Sequence, residues 1–288
     1  MDLNHRPLGY EPSGLPGCPT PLPIEIAQGA LLSLSISASF NPASSISQEA
    51  LEMGRLRAVF FDAFGTLLDA GGLHLEATER ILAELGLKGH VRAGELHDEW
   101  DKHILAFLRE RRFLRTWDIF LLSLERALNS FGMSLCLGEL ERAGVKAILI
   151  EMFSKTRLHQ GARDILAFCR SLGLKTGIIS DADAFLLRSL LVKHGLTGLL
   201  DTVVISDEVG ALKPDPEVFK RALQAVRCRA EEAMMVGDAK RDIEGAKEMG
   251  MWAALVLRPL RAPRALVIEP DIVVNSLAEL KGPIAALS

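Results

Sequence analysis

Three side chains that could take part in chemistry each stand at the end of a short apolar run, namely Asp62, Ser180 and Asp238. A carboxylate can attack phosphorus or an activated carbon to form a covalent intermediate, which water then hydrolyses. Carboxylate oxygens are also the ligands that Mg²⁺ prefers. Each residue alone is weak evidence, because an aspartate after a strand is more often a helix cap or a turn residue. The three residues together are much stronger evidence for a functional site.

The elements that must position these side chains are short strands that alternate with helices. Apolar runs that predict buried strands lie at residues 57–62, 174–180, 233–238, 253–257 and 270–274. Apolar residues at helical spacing lie between them, at 165–172, 187–194 and 219–226. This alternation predicts a parallel sheet joined by helical crossovers. Since ligands bind at the carboxyl ends of parallel strands, we expect Asp62, Ser180 and Asp238 to meet at one edge.

Four short motifs follow one another along the chain. They are Asp62-Ala-Phe-Gly-Thr-Leu-Leu, Gly177-Ile-Ile-Ser-Asp-Ala-Asp, Val209-Gly-Ala-Leu-Lys-Pro-Asp-Pro and Gly237-Asp-Ala-Lys-Arg-Asp. Their order and spacing resemble the four motifs of the haloacid dehalogenase superfamily, over about residues 57–280. The resemblance implies an α/β fold: a three-layer, Rossmann-like core with a parallel sheet, and a helical cap inserted after the first motif.

The resemblance also implies a nucleophile and a metal site. Asp62 would be the nucleophile. Mg²⁺ would be held by Asp62, Asp238 and the main-chain carbonyl of Phe64, with Asp242 supporting it directly or through water.

Further roles follow from the second and third motifs. Lys213 would offset the negative charge around the nucleophile, and Ser180 would donate a hydrogen bond to a phosphate oxygen. Asp181 is a candidate for a second contact with the substrate, although a role in a turn or a helix cap is the better expectation for both Asp181 and Asp183. Asp215 is expected to cap the helix that follows it.

One position departs from the phosphatases of this family. Most of them carry a second aspartate two residues after the nucleophile, which protonates the leaving group, and here that position is Phe64. A phenyl ring cannot transfer a proton, and general acid–base catalysis contributes about 10²–10⁴-fold. The favoured interpretation is a Mg²⁺-dependent phosphatase that acts on a good leaving group or uses another acid, with an aspartyl-phosphate at Asp62.

Two alternatives remain open. Haloacid dehalogenases also carry an aromatic residue at that position and use no metal, but they place neutral polar residues in the fourth motif. Here Asp238 and Asp242 would repel an anionic substrate unless a cation were bound. The second alternative is a non-catalytic protein that binds a phosphorylated ligand or a partner.

The domain pattern divides the chain into three parts. Residues 53–72 and 161–288 are expected to form the α/β core, and 73–160 the helical cap. Residues 1–52 are rich in proline, glycine and serine, which favours a disordered extension over a signal peptide. Residues 6–20 resemble a peptide that results from mistaken translation of a transfer-RNA gene, so we expect the natural protein to start near Met53.

Two further parts of the chain contain residues that could lie near the site. Polar or aromatic residues of the cap that are candidates to face the site are Trp100, Arg109, Arg112, Arg115 and Trp117. For the arginines, solvent exposure is the better expectation. The segment 258–264, a loop of prolines and arginines, could neighbour a substrate phosphate or form a surface turn, and the turn is the favoured expectation.

Composition and charge limit the classes of partner that this protein is expected to bind. The 288 residues carry a net charge of −4, which gives no reason to expect nucleic acid or an anionic membrane as partner. No apolar stretch reaches the roughly 18 residues that span a bilayer. The four cysteines form no CxxC pair, so a reducing compartment, the cytoplasm, is expected. The expected partner is a small phosphorylated molecule, and the oligomeric state stays open.

Overall fold

The computed structural model describes residues 55–110, 112–258 and 268–288. The expected extension of 1–52, the start near Met53 and most of the expected 258–264 turn lie outside these residues. Within them the elements, in chain order, are β1 (Ala58–Phe61), β2 (Leu68–Asp69), α1 (Leu73–Glu84), α2 (Ala93–Arg109), α3 (Thr116–Ser130), α4 (Leu137–Arg142), α5 (Val145–Ser154), β3 (Arg157–Leu158), α6 (Ala162–Ser171), β4 (Lys175–Ser180), α7 (Ala184–Lys193), β5 (Thr202–Ile205), α8 (Ser206–Val209), α9 (Pro216–Val226), β6 (Ala233–Gly237), α10 (Lys240–Glu248), β7 (Trp252–Val256), β8 (Ile272–Val274) and α11 (Lys281–Leu287).

Six strands form one parallel sheet in the order β5-β4-β1-β6-β7-β8. Each of the five apolar runs overlaps one of its strands, so the parallel α/β sheet predicted from the sequence is confirmed. The sixth strand, β5, was not predicted. It has four residues at one end of the sheet, the same length as β1, so its short apolar run was a local signal from which this strand could have been predicted.

Both faces of the sheet are covered by helices. In β1, Val59 and Phe61 face one apolar cluster with α6, α7 and α11, and Ala58 and Phe60 face another with α9 and α10. All four side chains are fully buried. Alternate residues of a strand point to opposite faces, and a strand buried on both faces reads as a continuous apolar run. The core therefore has three layers.

Five helices, α1 to α5, are inserted between β2 and β3. These two strands pair antiparallel, with Leu68 opposite Leu158, so one leads out of the sheet region and the other leads back. The division of the chain into a 53–72 and 161–288 core and a 73–160 cap stays a prediction, because one apolar cluster runs through both the inserted helices and one face of the sheet. None of the described helices is both long and apolar enough to cross a membrane.

The tryptophans and arginines of the inserted helices that were candidates to face the site separate into buried and exposed side chains. Trp100 and Trp117 are buried within the helices, and Trp100 Nε1 donates to Phe120 O and Ser123 Oγ, each at 2.9 Å. The expected arginines, by contrast, are all exposed: Arg109, Arg112 and Arg115.

Two aspartates cap helices as predicted. Asp183 Oδ1 accepts a hydrogen bond from Leu186 N at 2.8 Å at the start of α7. Asp215 Oδ1 accepts one from Glu217 N at 2.9 Å, and Pro216 is the first residue of α9. These bonds satisfy N–H groups that a helix leaves without partners in its first turn.

Candidate active site

The strand register brings the predicted site residues to one edge of the sheet. Phe61 pairs with Ile178 of β4 and with Val236 of β6, so Asp62 follows at the carboxyl end of β1. Ser180 and Asp238 come at the ends of the strands on either side. The three side chains therefore meet at the edge where the sequence pattern placed them.

Three carboxylates are buried together at this edge. Asp62, Asp238 and Asp242 are 3%, 4% and 0% exposed, and one oxygen from each lies within 4.8 Å of the others. Asp242 belongs to the first turn of α10. Burial raises the pKa of Asp242 to about 7, against the lowering influence of Lys213.

Lys213 lies between two of these carboxylates. Its Nζ is 2.7 Å from Asp62 Oδ1 and 2.6 Å from Asp242 Oδ1, and it donates to Ile179 O at 3.0 Å. Burial lowers the pKa of Lys213, but the carboxylates outweigh burial and hold the pKa above its ordinary value. The ammonium therefore stays charged.

The charge of this cluster fits a hard divalent cation. Lys213 pairs with Asp62 and Asp242. Arg241 pairs with Asp181 and also acts electrostatically on the three clustered carboxylates. Four carboxylates thus face these two cations. Buried charges need partners, and carboxylate oxygens suit Mg²⁺. The absence of a side chain at Gly65 leaves room for the carboxylate of Asp238. Gly65 has φ +96°, and a Cβ there would lie 2.3 Å from Asp238 Oδ2.

The loop after Asp62 is held from two sides. Thr66 Oγ1 donates to Asp238 Oδ1 at 3.1 Å. Arg258 donates to Gly65 O from Nε and to Thr66 O from an Nη atom, both at 2.7 Å. The expectation of a surface turn is wrong for Arg258, which is half-buried and anchors this loop. Its local sequence of prolines and arginines carries no signal of that contact.

Asp181 fixes the segment that carries Lys213. Its Oδ1 accepts from Lys213 N at 2.9 Å, and its Oδ2 lies 2.8 Å from Arg241 Nε. Both carboxylate oxygens are thus engaged within the protein, and the expected substrate contact of Asp181 stays a prediction. Arg241 was missed by sequence reasoning because it lies in a charged stretch that resembles any solvent-facing helix turn.

Ser180 presents an available hydroxyl. Its side chain is 2% exposed, and Oγ has no hydrogen-bond partner among the described residues. Buried hydroxyl groups are almost always hydrogen-bonded, so this hydroxyl at the carboxyl end of β4 could donate to a ligand oxygen.

Phe64 meets aromatic residues of the inserted helices. Its ring contacts Phe153 edge-on, with centroids 6.1 Å apart. Phe153 in turn contacts His74 at 4.8 Å and Phe120 at 5.8 Å. Sequence reasoning did not single out His74, since a lone histidine near the start of a helix carries no distinctive pattern. The position two residues after Asp62 therefore offers an apolar surface and no proton.

Four features of this structure together define a class of α/β hydrolases. They are a parallel sheet with an aspartate after its first strand, a buried lysine, acids after β6 and helices inserted after β2. The model of the haloacid dehalogenase-like hydrolases matches residues 56–250, and the chain belongs to this family.

Relatives in this family perform different reactions. (S)-2-haloacid dehalogenase 1 of Pseudomonas sp. strain CBS-3 is 29% identical over 231 residues, covering 79% of this chain and 96% of the relative. Glyceraldehyde 3-phosphate phosphatase of Pyrococcus furiosus is 31% identical over 205 residues, covering 69% and 80%. The structure of L-2-haloacid dehalogenase from Xanthobacter autotrophicus aligns with a TM-score of 0.66 and 22% identity, covering 81% and 100%. That structural likeness shows the fold alone.

Proposed function

We propose that the protein is a Mg²⁺-dependent phosphatase of small phosphorylated molecules, acting through an aspartyl-phosphate at Asp62. The observation that carries the proposal is the cluster of three buried carboxylates, Asp62, Asp238 and Asp242, each with an oxygen within 4.8 Å of the others, two of which pair with Lys213. Such a cluster repels an anionic substrate unless a cation is bound. A metal-dependent phosphatase needs that cation, and a metal-independent dehalogenase does not.

The residues that would hold the metal are Asp62, Asp238 and the main-chain carbonyl of Phe64, with Asp242 supporting it directly or through water. When bound, Mg²⁺ would offset the charge of the carboxylates and polarise the phosphate. Thr66 holds Asp238 through its Oδ1, which keeps that carboxylate oriented.

In the proposed reaction, a carboxylate oxygen of Asp62 attacks phosphorus, and the leaving-group oxygen departs with the bonding electron pair. Lys213 stabilises the charge that gathers around the transferred group. Ser180 Oγ, which has no partner in the described part of the chain, donates to a phosphate oxygen. Water then attacks phosphorus, releases inorganic phosphate and restores Asp62.

The side chain of Phe64 limits which substrates react well. It cannot protonate the departing oxygen, so the leaving group must be stable as an anion. Aryl and acyl phosphates meet this condition, and simple alkyl phosphates do not. We therefore propose a substrate of the aryl or acyl phosphate class.

A second candidate function is a 2-haloacid dehalogenase, which the aromatic residue at Phe64 favours. A halide leaves without a proton, so Phe64 costs that reaction nothing. In this case Asp62 would attack carbon, halide would be released, and the reaction would need no metal.

The test is a kinetic comparison of the full chain with p-nitrophenyl phosphate, in Mg²⁺ and in EDTA. The variants are Asp62→Asn and, as a matched control, Asp201→Asn, whose partly exposed carboxylate lies at the opposite edge of the sheet and accepts from Thr176 N. We expect turnover that needs both Mg²⁺ and Asp62, and survives in Asp201→Asn.

Other outcomes would identify the alternatives. Halide release from L-2-chloropropionate in EDTA would overturn the phosphatase in favour of the dehalogenase. Thermal stabilisation by inorganic phosphate without any turnover, unaffected by Asp62→Asn, would favour a binding protein.

We also propose a reducing compartment, the cytoplasm, for this protein. The three described cysteines, Cys136, Cys169 and Cys228, are free. Burial raises the pKa of Cys169 to about 12, which makes this thiol a packing residue and not a nucleophile.

A further inference from the structure

One polar contact joins the inserted helices to the sheet domain close to the site. Thr116, the first residue of α3, donates from both N and Oγ1 to Asp207 Oδ1, at 3.1 Å each. Asp207 lies in α8, directly after β5, and the two residues are 91 positions apart. The contact therefore spans the insertion and the core.

The chemistry of a helix start explains this contact. The first N–H groups of a helix have no partner within the helix, and negative charge there is favourable. The residue before α3 is Arg115, whose side chain makes no capping bond. Asp207 supplies that cap from a distant part of the chain.

The segment that carries Asp207 is tied to two site residues. The neighbouring Ser206 accepts from Ala182 N at 3.1 Å through its Oγ, which holds the loop after Ser180. In the other direction the chain leaves α8 and reaches Lys213 four residues after Val209. A shift of α8 is therefore transmitted to Ser180 and Lys213.

An apolar contact strengthens the same connection. Leu212, the residue before Lys213, packs with Phe107 of α2 and Ile119 of α3, and all three are buried. The insertion thus touches the segment that carries Lys213 at two places, one polar and one apolar.

We propose that Asp207 is a positioning residue that docks the inserted helices onto the α8–Lys213 segment and so holds Lys213 and Ser180 in the arrangement described above. The docking contact is distinct from the residues that touch the reacting atoms. It holds for either hydrolytic reaction, and only its kinetic test rests on the proposed phosphatase function.

The kinetic test compares Asp207→Ala with Asp207→Asn on p-nitrophenyl phosphate in Mg²⁺. Alanine removes the acceptor, whereas asparagine keeps an oxygen in the same place. We expect Asp207→Ala to raise KM about tenfold, which corresponds to about 1.4 kcal/mol, because a smaller population of the docked arrangement weakens apparent affinity. Its kcat should stay within about threefold of the wild type, and Asp207→Asn should retain most of the wild-type KM.

A double-mutant cycle with Thr116→Val isolates the contact. Once Asp207 is alanine, Thr116→Val should change KM no further. The matched control is Asp271→Ala, a half-exposed aspartate that accepts from Ala253 N at 2.8 Å at the opposite edge of the sheet. Additive effects of the two changes, or an equal rise of KM in Asp271→Ala, would overturn the proposal.

A measurement without substrate separates this proposal from the proposed function. Amide hydrogen exchange at Thr116 N should be about tenfold faster in Asp207→Ala than in the wild type, in Asp207→Asn or in Asp271→Ala, because this N–H loses its acceptor. Unchanged exchange in Asp207→Ala contradicts the docking contact, even if the protein proves to be a phosphatase. Faster exchange together with no phosphatase turnover supports the contact and rejects only the function.

Discussion

The ammonium nitrogen of Lys213 lies 2.7 Å from Oδ1 of Asp62, although the two residues are 151 positions apart. The same nitrogen lies 2.6 Å from Asp242 Oδ1. A single cation thus separates the proposed nucleophile from a second buried acid, and both reactivity and stability should depend on it.

Replacement of this lysine tests both dependences. We expect Lys213→Met to lower kcat by about 10²–10³-fold, as for loss of a group that stabilises developing charge. In EDTA the free energy of unfolding should fall by about 3–5 kcal/mol, because buried carboxylates lose their partner, and Mg²⁺ should restore part of it. Kinetics and thermal unfolding measure the two effects.

The control for that variant is Lys175→Met, whose exposed lysine pairs with Asp201 at 2.9 Å. An exposed ion pair contributes under about 1 kcal/mol. Equal destabilisation of the two variants would show that the charge balance around Asp62 does not matter for folding.

The raised pKa of Asp242 predicts how stability depends on pH. Its folded-state pKa is about 7, above the roughly 3.9 of an unfolded aspartate. The folded state therefore binds a proton more tightly, and this stabilisation is complete below about pH 4 and is lost as the pH rises through 7. In EDTA, the melting temperature should fall between pH 5.5 and pH 8, on the order of 5 °C.

Asp242→Asn supplies the comparison, because an amide of the same size does not titrate. The difference in melting temperature between wild type and variant should change across this pH range in EDTA and flatten in Mg²⁺. A difference that is the same at pH 5.5 and pH 8 in EDTA would contradict the prediction.

Ser180 should matter for activity and not for folding. Its buried Oγ lacks a partner within the described protein, so Ser180→Ala should change the free energy of unfolding by less than about 0.5 kcal/mol. A hydrogen bond to a charged phosphate contributes about 1.5–3 kcal/mol, so kcat/KM should fall roughly 10–100-fold.

Ser206→Ala should show a larger effect on stability, because Ser206 Oγ accepts from Ala182 N at 3.1 Å. Leaving that N–H without a partner costs about 1–3 kcal/mol. If Ser180→Ala were the less stable variant and kept full activity, its hydroxyl would have a structural role instead.

Phe64→Asp should extend the range of leaving groups. An aspartic acid there can protonate the departing oxygen, so kcat/KM for an alkyl phosphate such as glycerol 3-phosphate should rise by about 10²-fold or more. The rate with p-nitrophenyl phosphate should change far less, because nitrophenolate needs no proton. Phe64→Asn, similar in size but unable to donate in this way, should show no such gain. Equal gains in both variants would mean that loss of the ring, and not proton transfer, is responsible.

The sequence predicts those parts of the site that depend on local pattern. Asp62, Ser180 and Asp238 each end a buried strand, and parallel strands bring such ends together without further information. Lys213 is identified by its motif. In contrast, the contact of Asp207 with Thr116 spans 91 residues and that of Arg258 with Gly65 spans 193. Neither residue has a local feature that distinguishes it from a surface residue.

The sheet continues beyond the residues that match the family model. The match ends at residue 250, whereas β7 and β8 follow it and complete the sheet. A fragment cut at residue 250 would carry all four motifs, yet it would leave β6 as a bare edge, open to pairing with another chain and to aggregation. It would also lack Arg258, which anchors the carbonyls of Gly65 and Thr66. We therefore expect the smallest fragment that folds to be longer than the smallest fragment that contains the motifs.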